Sequence, residues 1–124
     1  MLSVPGSVRI LLWSEPIDMR KGFDGLAGLV RAAGEDALSG HLYVFVSRRR
    51  DRVKVLTWHR GGFVLWYKRI ERGRLQLPRD VVRYAQVVLD SGQLLLLLEG
   101  IDWSRVRRLP DWQRQSTIDK TTQV

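Results

Sequence analysis

Between residues 41 and 79 this sequence interleaves cationic side chains with aromatic rings, and that is where its chemistry concentrates. Arg48, Arg49, Arg50, Arg52, Lys54, Arg60, Lys68, Arg69, Arg72, Arg74 and Arg79 face only Asp51 and Glu71, so the segment carries +9 while all 124 residues carry +8. Nine of the eleven cations are arginine, whose planar fork suits phosphate oxygens better than a point charge does. A local field of this kind attracts polyanions, of which nucleic acid is the commonest large one. The competing reading is a solubilising charge. Tyr43, Phe45, Trp58 and Tyr67 lie among the cations. They are candidates to stack on unpaired bases or to distort a duplex. They are equally candidates for ordinary core packing, or for holding cations on their faces within the protein.

A second charged group precedes an apolar periodic stretch, in Asp18-Met-Arg-Lys-Gly22. Arg20 and Lys21 are placed to bind phosphate near a helix N-terminus. Asp18 and Asp24 have the chemistry of a general acid, a base or a metal ligand. The structural alternative for Asp18 is to cap a turn and pair with a basic strand residue. Beyond these, reactive groups are sparse. His41 and His59 stand alone, and no cysteine exists for a disulfide, a thiolate metal site or a nucleophile. No nucleophile elbow or lysine-bearing phosphate loop occurs, and the thirteen carboxylates are scattered. The expectation is a protein that is not an enzyme, with no catalytic residue, no metal site and no cofactor. Only a spatial convergence of Asp18, Asp24 and Glu71 would change that.

The elements that must position these residues are legible from periodicity. His41–Ser47, Val53–Trp58 and Phe63–Lys68 are rich in β-branched and aromatic residues and read as three strands. Arg48–Arg52 and His59–Gly62 are the turns between them. Pairing Trp58 with Phe63 sets Leu56 against Leu65, Lys54 against Tyr67 and Arg52 against Arg69. Pairing Ser47 with Arg52 sets Phe45 beside Lys54 and Tyr43 beside Leu56. Alternation then sorts an aliphatic face (Leu42, Val44, Val46, Val53, Val55, Val64, Trp66) from a face mixing rings with cations.

Val8–Trp13 is an earlier strand, and Leu26, Leu29, Val30 and Ala33 recur at helical spacing within Phe23–Ala33, ending at Gly34. Gly22, Gly25 and Gly28 leave one bare stripe on that helix, explained by close approach to the sheet or to another chain. Arg74–Leu77 reads as a short strand ended by Pro78, and Val81–Leu89 as an edge strand. Ser91–Glu99, with its five leucines, reads as a helix capped at Asp90-Ser91 and ended by Gly100. The fold expected is a single α+β domain over residues 1–108. It has a mainly antiparallel sheet of four to six strands, with both helices on the aliphatic face. Residues 109–124 read as a mobile tail. The longest apolar run, Leu94–Leu98, is far shorter than the roughly 20 residues a membrane helix needs. With no signal peptide and no cysteine, a cytoplasmic location without membrane contact is expected.

Four separated segments carry a family resemblance: Asp18-Met-Arg-Lys-Gly-Phe-Asp-Gly-Leu-Ala27; Gly40-His-Leu-Tyr-Val-Phe45 with Arg48-Arg-Arg-Asp-Arg-Val-Lys-Val-Leu56; Tyr67-Lys-Arg-Ile-Glu-Arg-Gly-Arg74, preceded by Trp58 and Gly62-Phe63; and Leu97-Leu-Glu-Gly-Ile-Asp-Trp103. In this order they resemble the TnpB-type, Orf2-like accessory proteins of bacterial insertion sequences of the insertion sequence 66 family. These are unrelated to the larger RNA-guided nucleases that share the TnpB name. The resemblance implies a helper of transposition encoded beside a separate transposase, and it supplies no catalytic residues. It departs at His59, where the family usually has an acidic residue, and over Arg79–Gln93.

Together these readings give a non-catalytic transposition accessory factor that binds DNA. Arg48, Arg49, Arg50, Arg52 and Arg60 would contact phosphates from the two turns, and Lys54, Lys68, Arg69, Arg72 and Arg74 would extend the track. One alternative is a protein-interaction module that docks on the element's transposase through the leucine run and the aromatic-basic face. Another is an RNA-binding regulator of the element. The glycine stripe and leucine helix are also compatible with a homodimer.

Overall fold

The computed structural model describes residues 7–78 and 84–99. The expected tail 109–124, the Gly100 helix stop and the start of the Val81–Leu89 stretch lie outside them. Five strands and two helices follow in the order β1 (Ile10–Trp13), α1 (Phe23–Ala32), β2 (Leu42–Val46), β3 (Arg52–His59), β4 (Gly62–Arg69), β5 (Gln86–Leu89) and α2 (Ser91–Glu99). They form one sheet in the order β4-β3-β2-β1-β5, a single α+β domain. Among the described residues no helix is long and apolar enough to cross a membrane.

The hairpins take the register that their turns and alternation dictate. Trp58 pairs with Phe63, Leu56 with Leu65, Lys54 with Tyr67 and Arg52 with Arg69. Tyr43 pairs with Leu56 and Phe45 with Lys54. The β3–β4 turn has positive φ at both central residues, Arg60 (46°) and Gly61 (85°). That tight-turn geometry matches the twist of the flanking strands. β5 pairs antiparallel with β1, whereas β1 and β2 are parallel. The sheet is therefore mixed, though still mainly antiparallel. The Arg74–Leu77 stretch is not a strand. It is an irregular segment that drops Leu75, fully buried, into the core.

The two helices do not share a face, contrary to the expectation from the sequence. Leu26, Ala27 and Val30 of α1 pack with Leu11, Trp13, Tyr43, Phe45 and Leu56. Leu94, Leu97 and Leu98 of α2 pack on the opposite face with Ile10, Leu12, Leu42, Val44, Val46, Val53 and Val55. The reason lies in the parallel β1–β2 pair. Joining two parallel strands needs a crossover, and α1 supplies it over one face. Every residue of β1 and β2 is then buried, which requires cover on both sides.

Helix ends form as their residues require. Gly34, at φ 82°, ends α1, with its amide donating to Arg31 O and that of Glu35 to Val30 O. At the start of α2 the Gln93 amide donates to Asp90 Oδ1 and the Asp90 amide to Gln93 Oε1, a reciprocal cap. The bare stripe of Gly22, Gly25 and Gly28 is exposed and does not approach the sheet. A Cβ on Gly25 would meet only the Lys21 side chain, at 3.3 Å, and one on Gly28 would meet nothing.

Candidate nucleic-acid interface

The β2–β3 turn is built around Ser47. Its hydroxyl accepts from the amides of Asp51 (3.2 Å) and Arg52 (3.1 Å) and donates to Asp51 Oδ1 (3.1 Å). The Arg50 amide donates to Ser47 O at 2.9 Å. Asp51 is thus occupied inside the turn, and Arg48, Arg49 and Arg50 are exposed on its outside. After β4 the chain folds back along this turn. The Ile70 amide donates to Asp51 O and the Leu75 amide to Arg50 O, both at 2.6 Å. The exposed Arg72 and Arg74 are thereby held beside the turn arginines, at one end of the sheet.

Among the described residues, Arg48, Arg49, Arg50, Arg72 and Arg74 have no side-chain hydrogen bond or ion pair. Arg69 also lies at this end, paired with Glu71 at 3.0 Å. Arg52 donates to the Tyr67 hydroxyl at 3.4 Å. The result is a patch of guanidinium groups with little internal neutralisation.

Arg50 sits at φ 59° and Arg60 at 46°, the only described non-glycine residues with positive φ. Glycine and asparagine hold this conformation more cheaply than arginine, for which it costs about 1–2 kcal/mol.

Arg60 does not belong to the same surface. It closes the opposite end of β3, and seven residue steps of about 3.3 Å separate the strand's two ends by roughly 23 Å. A phosphate track drawing on both turns at once is therefore divided between two ends of the sheet.

Other sequence candidates turn out to be structural. Lys54 is only 6% exposed; its Nζ donates to Met19 O and Lys21 O, both at 2.7 Å, and lies 4.6 Å from the Tyr67 ring centroid. It straps the 18–22 segment onto β3, so it is not a phosphate contact. Lys68 turns its Nζ to Leu98 O at 2.6 Å, in the last turn of α2, where carbonyls attract a cation.

Arg20 is held by Asp18 through Nε (3.1 Å to each oxygen) and Nη2 (2.8 Å). The Arg20 side chain, and then its backbone amide, hold the Asp18 carboxyl down at about 2. Asp18 therefore caps a turn, but its partner is Arg20 and not a strand residue. Lys21 is exposed and makes no ion pair among the described residues. Asp18, Asp24 and Glu71 do not converge, and no described group of three or more histidines and carboxylates could hold a metal ion.

The aromatic candidates divide in the same way. Tyr43 and Phe45 are wholly buried, which leaves no ring face for a base. Both pack on Trp13, with centroids 5.9 and 4.9 Å away. The Tyr43 hydroxyl donates to Asp36 O at 2.8 Å and accepts from Ser39 Oγ at 2.9 Å, and burial raises its pKa. Over β2 and the middle of β3 the aromatic-cationic face is a second core, because α1 covers it there. Trp58 lies edge-on to Phe63, 5.0 Å away, at the Arg60 end. Tyr67 is half exposed but is engaged by Lys54 and Arg52.

A feature the sequence did not reveal is an open cleft of about 700 Å³ at the carboxyl ends of β1 and β2, lined among others by Trp13, Glu15, Val46, Arg50 and Tyr84. It forms where the parallel pair ends, and no sequence motif marks it.

The family model described as "IS66 Orf2 like protein" matches residues 8–108. The uncharacterized protein y4jC of Sinorhizobium fredii (strain NBRC 101917 / NGR234) is 32% identical over 111 residues, 89% of this chain and 93% of the relative. The uncharacterized protein y4hO of the same strain is 36% identical over 105 residues, covering 83% and 89%. No solved structure matches.

Proposed function

The chain belongs to the IS66 Orf2-like family of insertion-sequence proteins, and from that membership we propose that it assists transposition by binding DNA at the arginine-rich end of its sheet. The observation that carries the proposal is the group of five exposed arginines, Arg48, Arg49, Arg50, Arg72 and Arg74, without side-chain partners among the described residues and held on a turn and a returning loop that are tied together by backbone hydrogen bonds. Arg52 and Arg69 border it. With Tyr43 and Phe45 inside the core, the contact reads the phosphate backbone and its shape rather than stacked bases. It serves as positioning for a transposase that does the chemistry.

Fluorescence anisotropy over a salt series tests this, using duplexes from the element's ends, random duplex and single strands. Five phosphate contacts give a log–log salt slope of about −4.5, an affinity loss of roughly 500-fold between 50 and 200 mM salt. Changing all five arginines to alanine should flatten the slope and abolish binding. Absence of binding at low salt overturns the proposal. A salt-insensitive complex with the transposase would then favour the docking role.

A further inference from the structure

The edge strand β4 differs from β1, β2 and β3 in what it leaves uncovered. Phe63-Val-Leu-Trp-Tyr67 is a run of five large apolar residues, none of them buried. Val64 is 48% and Tyr67 49% exposed. β4 ends the sheet order, so its outer edge has no neighbour among the described strands. The strand is eight residues long, free of proline and in unbroken register with β3. Its only charges are Lys68 and Arg69, and Lys68 turns inward to α2. Soluble proteins ordinarily blunt such an edge with a bulge, a proline or inward charges. The opposite edge, β5, is only four residues long.

The direction of the backbone groups follows from the register. His59 and Gly62 close a two-residue hairpin as a hydrogen-bonded pair. Alternation turns the amides and carbonyls of residues 62, 64, 66 and 68 toward β3. The same alternation directs Arg52 to β2, where its carbonyl accepts from the Ser47 amide. The N–H and C=O groups of Phe63, Leu65 and Tyr67 therefore point outward.

We propose that β4 pairs antiparallel with β4 of a second copy of this chain, about a two-fold axis at Leu65, continuing the sheet to ten strands. In this register Phe63 lies opposite the partner's Tyr67, Val64 opposite the partner's Trp66, and Leu65 opposite the partner's Leu65. These are the aromatic–aromatic and aromatic–β-branched pairs that stabilise sheets. The outward groups of Phe63, Leu65 and Tyr67 meet their counterparts, and Lys68 faces the partner's Gly62, so no like charges meet. A parallel alignment would instead set Lys68 and Arg69 beside their own copies. An antiparallel register centred on Trp66 would put Arg69 against the partner's Phe63. The strand is thus self-complementary in one register, as an isologous interface requires. This inference does not depend on the DNA-binding proposal.

Sedimentation and light scattering over a dilution series should give a species of twice the 14.4 kDa chain mass. The absence of native cysteine makes the register directly testable. Leu65→Cys should cross-link to itself with a short bismaleimide, whereas Asp24→Cys on the far side of α1 should not. Leu65→Pro removes an outward amide without touching the β3 ladder and should weaken dimerisation about 30-fold through two lost hydrogen bonds. If that variant loses its circular dichroism, the Leu65→Cys result still decides. A monomer at every concentration overturns the proposal, as does a dimer that cross-links through Trp66→Cys but not Leu65→Cys. Pairing of a monomer only with an extended strand of the transposase would overturn it in favour of a different occupant.

Discussion

Replacing Arg50 by asparagine should make the protein more stable and a poorer DNA binder at once. The backbone of Arg50 is held from both sides, its amide on Ser47 O and its carbonyl on the Leu75 amide, so the left-handed conformation at φ 59° persists in the variant. Arginine bears about 1–2 kcal/mol of strain there, of which asparagine relieves a part. The Arg50 side chain makes no hydrogen bond or ion pair among the described residues, so little opposes the gain. A net gain of about 0.5–1 kcal/mol corresponds to a rise in Tm of roughly 2–4 °C for a chain of this size. In the anisotropy series the salt slope should fall by about 0.9, one phosphate contact. Arg60→Asn is the control: it relieves a similar strain at φ 46° but lies at the other end of β3, so it should raise Tm and leave the slope unchanged. A lowered Tm for Arg50→Asn would refute the strain argument, and an unchanged salt slope would refute the assignment of Arg50 to the DNA surface.

Three other outcomes follow from the geometry. Lys54→Met leaves Met19 O and Lys21 O without their donor; it should cost about 1–3 kcal/mol and expose the 18–22 segment to limited proteolysis. Tyr43→Phe removes the hydroxyl from Asp36 O; it should cost about 1 kcal/mol in chemical denaturation while leaving the DNA salt slope unchanged. Asp18, held at about 2 against 3.8 in the absence of partners, contributes its stabilisation fully above the unfolded value and loses it as pH falls from about 4 through about 2. Carboxyl carbon shifts should follow that titration, and Arg20→Ala should bring it back toward 3.8. An Asp18 titration unmoved by Arg20→Ala would remove the pair.

The ordering of β2, β3 and β4 was readable because each hairpin is set by neighbours in sequence. The two-residue turn at Arg60-Gly61 and the alternation on either side leave one register that keeps both faces consistent. The end of α1 and the start of α2 were readable for the same reason: Gly34 and the cap at Asp90 are local signals. The parallel pairing of β1 with β2 was not, because it joins residues some thirty positions apart and leaves no turn signature. The side of the sheet taken by each helix depends on that pairing, and the cleft at the end of the two strands depends on it too.

The same division runs through the candidate interface. Composition alone determined that residues 41–79 carry the charge of the molecule, and the strand pattern determined which residues share a face. Only the tertiary structure decided which of those side chains are available. α1 covers Tyr43 and Phe45 and turns the β2 part of the mixed face into a core. The backbone of the 18–22 segment takes up Lys54, the end of α2 takes up Lys68, and the length of β3 separates Arg60 from the other arginines. Charge is a property of a residue type and is visible in a string of letters. Availability depends on what the chain brings over a face from far away, and that is settled by long-range packing.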